Sequence, residues 1–538
     1  MSNEVPPVIQ APTAKERKYD RQLRLWAASG QRALEESHVL LIIPDTETGS
    51  SSSVAGSETL KNLILPSIGQ FTILDPAKVT EADLGINFFL EAESLGKSRA
   101  DEARRLLEEL NPDVQGHSIL ETVDQFLEDP SRLKIFNLVL LCGPAPSHII
   151  SRLSLCLWTN KTPLVYIQSR GFYSTFSIQL PSDFPVVDTH PDPESTQDLR
   201  LLVPWEELRS ELSKLGNIDQ ISDDDHGHIP YVLLLLHYLD TWKLSHEGRG
   251  PENFKEKIQF RDIVRQGART GNAEGGEENY DEAVAAVLKT INLPTIGSSV
   301  RELFQNERCQ SLAGDSSDFW FIAAAVRRFY DLHGVLPLPG SLPDMKARSA
   351  QYIQLQNIYK AKARADAKEV LSTVRDLEQE VGKAQAIAEA EIDAFCKNAA
   401  HVKVIAGERL PLVENKPETT KAILSNLDNE ESLIPIFLAS AVESSSNGNA
   451  DDAVTEFLER ILKANGKGGI IDSASRQRVV DACKELGRAA GGELHNISSL
   501  TGGMVAQEAI KIITKQYVPV HNTCIFDGIR SRTETLTL

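Results

Sequence analysis

Three places in the chain carry residue types that could do chemistry. The first is the apolar run His38-Val-Leu-Leu-Ile-Ile43, the turn Pro44-Asp-Thr-Glu-Thr-Gly-Ser-Ser-Ser-Ser-Val-Ala-Gly56 and the helical pattern Leu60–Pro66. A strand, turn and helix in this order would aim backbone N–H groups at a phosphate, provided that glycines let the backbone turn tightly and approach it. Here the turn is too long and places Asp45 and Glu47 where a phosphate expects donors. The expectation is a nucleotide-type fold that has lost its ligand. The second place is the set of thiols. Six cysteines stand far apart with no C-x-x-C pair, so neither a zinc site nor a disulfide framework is indicated. Cys309, in Glu307-Arg308-Cys309-Gln310, is the candidate for an exposed thiol whose pKa a neighbouring arginine could lower; a structural thiol is the weightier reading. The third is Asp223-Asp-Asp-His-Gly-His228. His226 and His228 could hold a metal loosely, but an acidic loop before a helix explains them without a complete ligand set.

The elements that must position these residues read as α/β in the first third of the chain. Val39–Ile43, Gln70–Leu74, Phe136–Cys142 and Leu164–Gln168 are short apolar runs separated by helical patterns such as Ser98–Leu110. Near-continuous apolar strands alternating with helices imply a parallel sheet covered on both faces. An amphipathic helix over 15–35 feeds the first strand. After about residue 180 the chain becomes a series of helical segments: Trp205–Leu215, Pro230–Ser245, Asn253–Gln266, Asp281–Thr290, Asp318–Leu332 and Ser349–Glu380. Gly271–Glu278, Glu443–Asn449 and Gly466–Gly469 read as exposed loops. Near the C-terminus Thr501-Gly502-Gly503 precedes another helix, and Tyr517–Phe526 and Thr533–Leu538 read as two strands about Asp527-Gly528. The expected division is a flexible arm over 1–14, an α/β domain over 15–180, a helical insertion over 181–490 and a return to the α/β domain over 491–538.

With 538 residues and a net charge of −20, the chain is large enough for several domains and carries the wrong sign for nonspecific nucleic-acid or anionic-membrane binding. The polar, proline-bearing N-terminus, the thiol usage and the want of a long apolar run give cytoplasm and nucleus as the expected location.

Four motifs then occur in order: Lys18-Tyr19-Asp20-Arg21-Gln22, Asp75 at the end of the second strand, Leu95-Gly96-Lys97-Ser98-Arg99-Ala100, and Gly502-Gly503-x-x-Ala506-Gln507-Glu508. As an ordered set they resemble the Rossmann-like, ThiF/MoeB-type adenylation domain of ubiquitin-like-protein activating enzymes and their bacterial relatives. Phe260-Arg-Asp-Ile-Val-Arg-Gln-Gly267, Leu336-Pro-Leu-Pro-Gly-Ser-Leu-Pro-Asp-Met345 and Tyr352-Ile-Gln-Leu-Gln-Asn-Ile-Tyr359 extend the resemblance to the regulatory-subunit family of neddylation activating enzymes, the amyloid-precursor-binding-protein-like subunits. It covers essentially everything after residue 15.

The resemblance implies a role for each position, and several residues depart from it. Asp75 stands at the ribose position, with a strand-end structural aspartate as its other reading. Asp83-Leu84-Gly85-Ile86-Asn87 puts Ile86 where an arginine would neutralise phosphate, Arg99 replaces the family lysine, and Gly143-Pro144-Ala145-Pro146 replaces the metal-supporting aspartate. The implied chain binds no cofactor itself, ATP and magnesium belonging to a catalytic partner subunit. That partner would also supply the active cysteine, leaving the insertion a cysteine domain without its cysteine. Arg21 is the implied catalytic contributor, acting in trans on partner-bound ATP; otherwise it is a helix-surface arginine pairing with Asp20 or a neighbouring acid. Leu336, Pro337, Pro343, Asp344 and Met345 are implied partner contacts, or an ordinary rigid loop. The ubiquitin-like modifier is an implied partner, and the conjugating enzyme an indirect one. Two rivals remain: an autonomous adenylating enzyme, and an adaptor built on a relic nucleotide fold.

Overall fold

The computed structural model describes residues 12–45, 53–192, 197–271, 276–410, 417–443, 450–464 and 471–538. Most of the expected 1–14 arm, positions 46–52 of the turn after the first strand, and the greater part of the three expected loops lie outside them. The chain forms two compact units, one from residues up to Val186 with Ile405–Leu538, the other from Val187–Val404.

The first unit is built on an eight-stranded sheet. Its strands are β1 (His38–Ile42), β2 (Gln70–Leu74), β3 (Gln115–Ile119), β4 (Leu138–Cys142), β5 (Leu164–Arg170), β6 (Tyr173–Gln179), β7 (Thr523–Asp527) and β8 (Arg532–Leu536), in the order β8-β7-β6-β5-β4-β1-β2-β3. β1 lies between β2 and β4, Leu40 facing Thr72 on one side and Val139 on the other. The expected parallel sheet is found in β1–β5; β6, β7 and β8 run antiparallel. The reversal follows from the short connection Gly171-Phe172 after β5, where Gly171 takes a positive φ of 52°, because a two-residue link can join only antiparallel neighbours.

Successive β1 side chains feed opposite cores. Val39 and Leu41 pack with Leu60, Leu63, Val505 and Ala509 of the helices Val54–Ile64 and His495–Thr514, while Leu40 and Ile42 pack with Leu153 and Leu157 of Ser147–Thr159. This period-two division makes β1 apolar throughout and burial of both sheet faces necessary. Gly502 and Gly503 lie inside the last helix, not before it. A Cβ on Gly502 would stand 2.6 Å from Glu58 Cβ and 2.9 Å from Thr59 N, so glycine here allows the two helices to approach backbone to backbone.

The return to this unit comes at residue 405, earlier than the expected 491. Helices Pro417–Leu427, Ile434–Glu443, Ala450–Ala464 and Ser473–Arg488 contribute Ile423, Leu438, Phe457 and Val479 to a core that includes Ile525 of β7 and Leu536 of β8. Their helical periodicity resembles that of the insertion, but their apolar faces are satisfied by the closing strands.

The second unit is helical and has two cores. One surrounds Tyr231–Ser245, with Phe260, Val264, Tyr280 and Val287; the other surrounds Asp318–His333, with Val300, Leu303 and Phe395. The long helix Ser349–Val381 serves both, giving Leu355 and Tyr359 to the first and Val370, Val374 and Leu377 to the second. Its charged residues lie mainly on the remaining face, as the periodicity predicts.

Candidate functional site

The start of the Val54–Ile64 helix, after β1, is where this fold would meet phosphate, and its donors already have partners. Val54 N–H donates to Glu493 Oε1 and Ala55 N–H to Glu493 Oε2, each at 3.2 Å. Gly56 N–H donates to Ser53 Oγ at 3.3 Å, and Ser57 N–H to the Ser53 carbonyl at 3.1 Å. Ser57 thus opens the intrahelical series, and the three amides before it, which have no intrahelical acceptor, are satisfied by this chain's own side chains. Glu493 is buried, and Ser498 Oγ donates to its Oε2 at 2.6 Å.

The ribose-type position is also turned inward. Asp75, at the end of β2, receives Arg99 Nε at 2.6 Å and Nη2 at 3.1 Å, while Arg99 Nη1 donates to Asp83 Oδ1 at 3.1 Å. All three side chains are buried. Burial opposes the Arg99 charge, but the two carboxylates outweigh it and hold the guanidinium above its ordinary pKa. The remaining Asp83 oxygen accepts from Thr80 N–H at 2.7 Å and Thr80 Oγ1 at 2.8 Å, capping Glu81–Ile86. The aspartate and the basic residue of the two family motifs therefore neutralise each other, in agreement with the structural reading of Asp75. Bidentate geometry explains why arginine serves here.

At the position expected to lack the metal-supporting aspartate, a Cβ on Gly143 would lie 2.7 Å from Gln168 Cγ and from Tyr166 Oη. An aspartate could not be restored there without moving β5 side chains.

The thiols are equally withdrawn. Cys309, expected as the most exposed, is 3% exposed, and burial pushes its pKa up to about 11. Arg308 does not activate it; its guanidinium lies 5.9 Å from the Trp320 ring centre. Burial likewise raises Cys524 to about 11 and Cys142 and Cys396 to about 12. Only Cys156 is partly exposed. A nucleophilic thiol needs access, and five of the six are buried. His226 is buried, with Nδ1 2.7 Å from Glu277 Oε1 and Nε2 3.1 Å from Tyr280 Oη. Among the described residues no cluster of His, Cys, Asp or Glu could hold a metal, and no helix is long and apolar enough to cross a membrane.

Arg21 presents the opposite case. It lies in the first turn of Asp20–Glu35 and is exposed. Asp20 pairs with Arg24 at 3.0 Å instead, leaving Arg21 without an ion pair among the described residues. In the 336–345 segment, Pro337 and Met345 are buried, Leu336 and Pro343 are partly buried, and Asp344 is exposed. The Leu336 carbonyl accepts from Arg200 Nη2.

Glu493 carried no motif in the sequence. Its donors are 438 and 439 residues away, and only the topology that returns the chain to β1 brings them together.

The ThiF family profile matches residues 19–538. A NEDD8-activating enzyme E1 regulatory subunit from Xenopus laevis is 38% identical over 545 residues, spanning 99% of this chain and 100% of that protein. The corresponding subunit of Danio rerio is 37% identical, spanning 98% and 99%, and the regulatory subunit AXR1 of Arabidopsis thaliana is 33% identical, spanning 99% and 98%. Identity at this level along nearly the whole length places the chain in the ThiF family and, within it, among the NEDD8-activating enzyme E1 regulatory subunits.

Proposed function

We propose that this chain is the noncatalytic half of a heterodimeric E1 for protein neddylation, acting in cytoplasm and nucleus. The catalytic partner binds ATP and magnesium, adenylates the C-terminus of the ubiquitin-like modifier, and captures it on its own cysteine for transfer to a conjugating enzyme. The present chain binds no nucleotide. The near-full-length likeness to regulatory subunits carries this reading, and the engaged amides and buried thiols are consistent with it.

Arg21 is the contribution of this chain to chemistry. An exposed guanidinium free of internal carboxylates can form a planar fork on phosphate oxygens, where charge stabilisation in a preorganised site lowers the barrier to adenylate formation. Asp344 is the exposed residue of the 336–345 segment and a contact for a partner.

The test is a modifier-adenylation and thioester assay on this chain, the catalytic subunit, and their mixture, each mixture made with wild-type or Arg21→Ala chain. Activity is expected only in the mixture, and reduced by Arg21→Ala while the complex stays assembled. Adenylation by this chain alone would overturn the reading. A catalytic subunit indifferent to this chain would leave an adaptor role instead.

A further inference from the structure

We propose that Glu493 is a built-in surrogate for a phosphate group, filling the anion position at the start of the Val54–Ile64 helix from within. This goes beyond the regulatory role and holds whether or not a partner is engaged. A carboxylate and a phosphate offer similar things to a helix N-terminus: negative charge opposite the positive end of the helix dipole, and several oxygens for diverging N–H groups. Glu493 places one oxygen on Val54 N–H and the other on Ala55 N–H.

Several features fix it there. Ser498 Oγ donates to Oε2 at 2.6 Å and lies 2.8 Å from Ser169 Oγ, on β5. The backbone of Glu493 bridges to Gly171, and Gly171 N–H donates to the Gly492 carbonyl at 2.9 Å. Two residues later, His495 Nδ1 lies 3.0 Å from the Ile86 carbonyl. The carboxylate is therefore held from the β5–β6 turn, from the His495–Thr514 helix that follows it and from the end of Glu81–Ile86. Ordinary N-capping uses a side chain immediately before the helix; here Ser53 fills that role for Gly56, and Glu493 supplies the two acceptors that a local cap cannot reach. The α/β unit can then complete the helix start without nucleotide.

The test is thermal unfolding of the full chain with inorganic phosphate, pyrophosphate or ATP, each against chloride at matched ionic strength. Wild type is expected to show no shift beyond the chloride control. Glu493→Ala is expected to melt lower and to regain part of the loss with phosphate or pyrophosphate, which would occupy the vacated amides. Glu493→Ser empties the same position while keeping a small polar side chain; it is expected to expose Val54 and Ala55 to faster amide exchange, slowed again by phosphate. If Glu493→Ala does not fold, the Ser variant carries the test. A wild-type chain stabilised by pyrophosphate or ATP would overturn the proposal, as would a folded Glu493 variant without anion response. Failure of both variants to fold even with phosphate present would also overturn it, since the residue would then serve a purpose that an anion cannot replace.

Discussion

The start of the Val54–Ile64 helix and the start of the Asp20–Glu35 helix carry the groups that the proposed function assigns to one nucleotide chemistry, and the chain treats them oppositely. At the first, amides and cations that would meet a phosphate meet Glu493, Asp75 and Asp83 instead. At the second, Arg21 faces outward with its neighbour Asp20 engaged by Arg24. Buried polar groups must find internal partners, because leaving one unsatisfied costs about 1–3 kcal/mol, and more when it is charged. Exposed charge has no such requirement. A site that loses its ligand is therefore driven to close upon itself, whereas a residue whose ligand sits on another protein can remain unaltered at the surface.

The strongest way to break this comparison is to remove each arginine in turn. Arg21→Ala should leave the melting temperature of this chain unchanged but slow adenylation by the assembled heterodimer. An arginine supplied in trans contributes about three to five orders of magnitude in phosphoryl transfer, the upper range for an effect on this related reaction. Arg99→Met should do the reverse. Two buried carboxylates would lose their counter-charge, and breaking a buried ion pair from one side costs about 3–5 kcal/mol, to be read from denaturant unfolding. Arg99→Lys should fall between, since a single ammonium cannot fork to both Asp75 and Asp83. If Arg99→Met is stable and Arg21→Ala is not, the division between inward and outward arginines is wrong.

A smaller effect distinguishes two adjacent glycines. Gly502→Ala forces a Cβ against the Val54–Ile64 backbone, and overpacking of this kind costs about 1–3 kcal/mol. Gly503 has no atom within 4 Å of a would-be Cβ, so Gly503→Ala should stabilise by about 0.5–1 kcal/mol through helix propensity. Equal loss in both would show that the pair matters for something other than helix approach.

These contrasts also explain what could be read from the sequence. β1, β2 and β4 announce themselves because strands buried on both faces are continuous apolar runs. β3 is an edge strand of Gln, Gly, His, Ser and Ile, and β6 is rich in Ser and Thr although buried; neither has that signature. The helices from 417 to 488 show their own periodicity but not their allegiance, which rests on packing against Ile525 and Leu536. At the site, the missing glycines, Ile86 and Gly143 were legible because each is a change of residue type at a motif position. The partner of the Val54 and Ala55 amides was not, because a glutamate outside any motif gains its meaning from amides more than four hundred residues away.

The least drastic perturbation is pH, which probes burial from both sides. In the unfolded chain a cysteine titrates near its ordinary value of 9.0, whereas Cys309 and Cys524 hold their protons to about 11 and Cys142 and Cys396 to about 12. Their contribution to stability is complete below about pH 9 and is lost as pH rises through the folded values, because the native state then binds more protons than the unfolded one. Urea midpoints should therefore fall above about pH 9, and thiol-directed alkylation of the folded chain should be confined to Cys156. On the acid side, burial and the nearby His117 pull His38 down to about 4 from 6.5. The unfolded chain takes up this proton first, so stability declines as pH falls from 6.5 towards 4. His38 is only half-buried, with Nε2 2.8 Å from Thr72 Oγ1, and solvent screening keeps this contribution the smallest of the set. His38→Gln should flatten that part of the acid limb without altering the alkaline one. A steeper acid limb in the variant would mean that the imidazole is charged in the fold and that the start of β1 is wetter than its packing indicates.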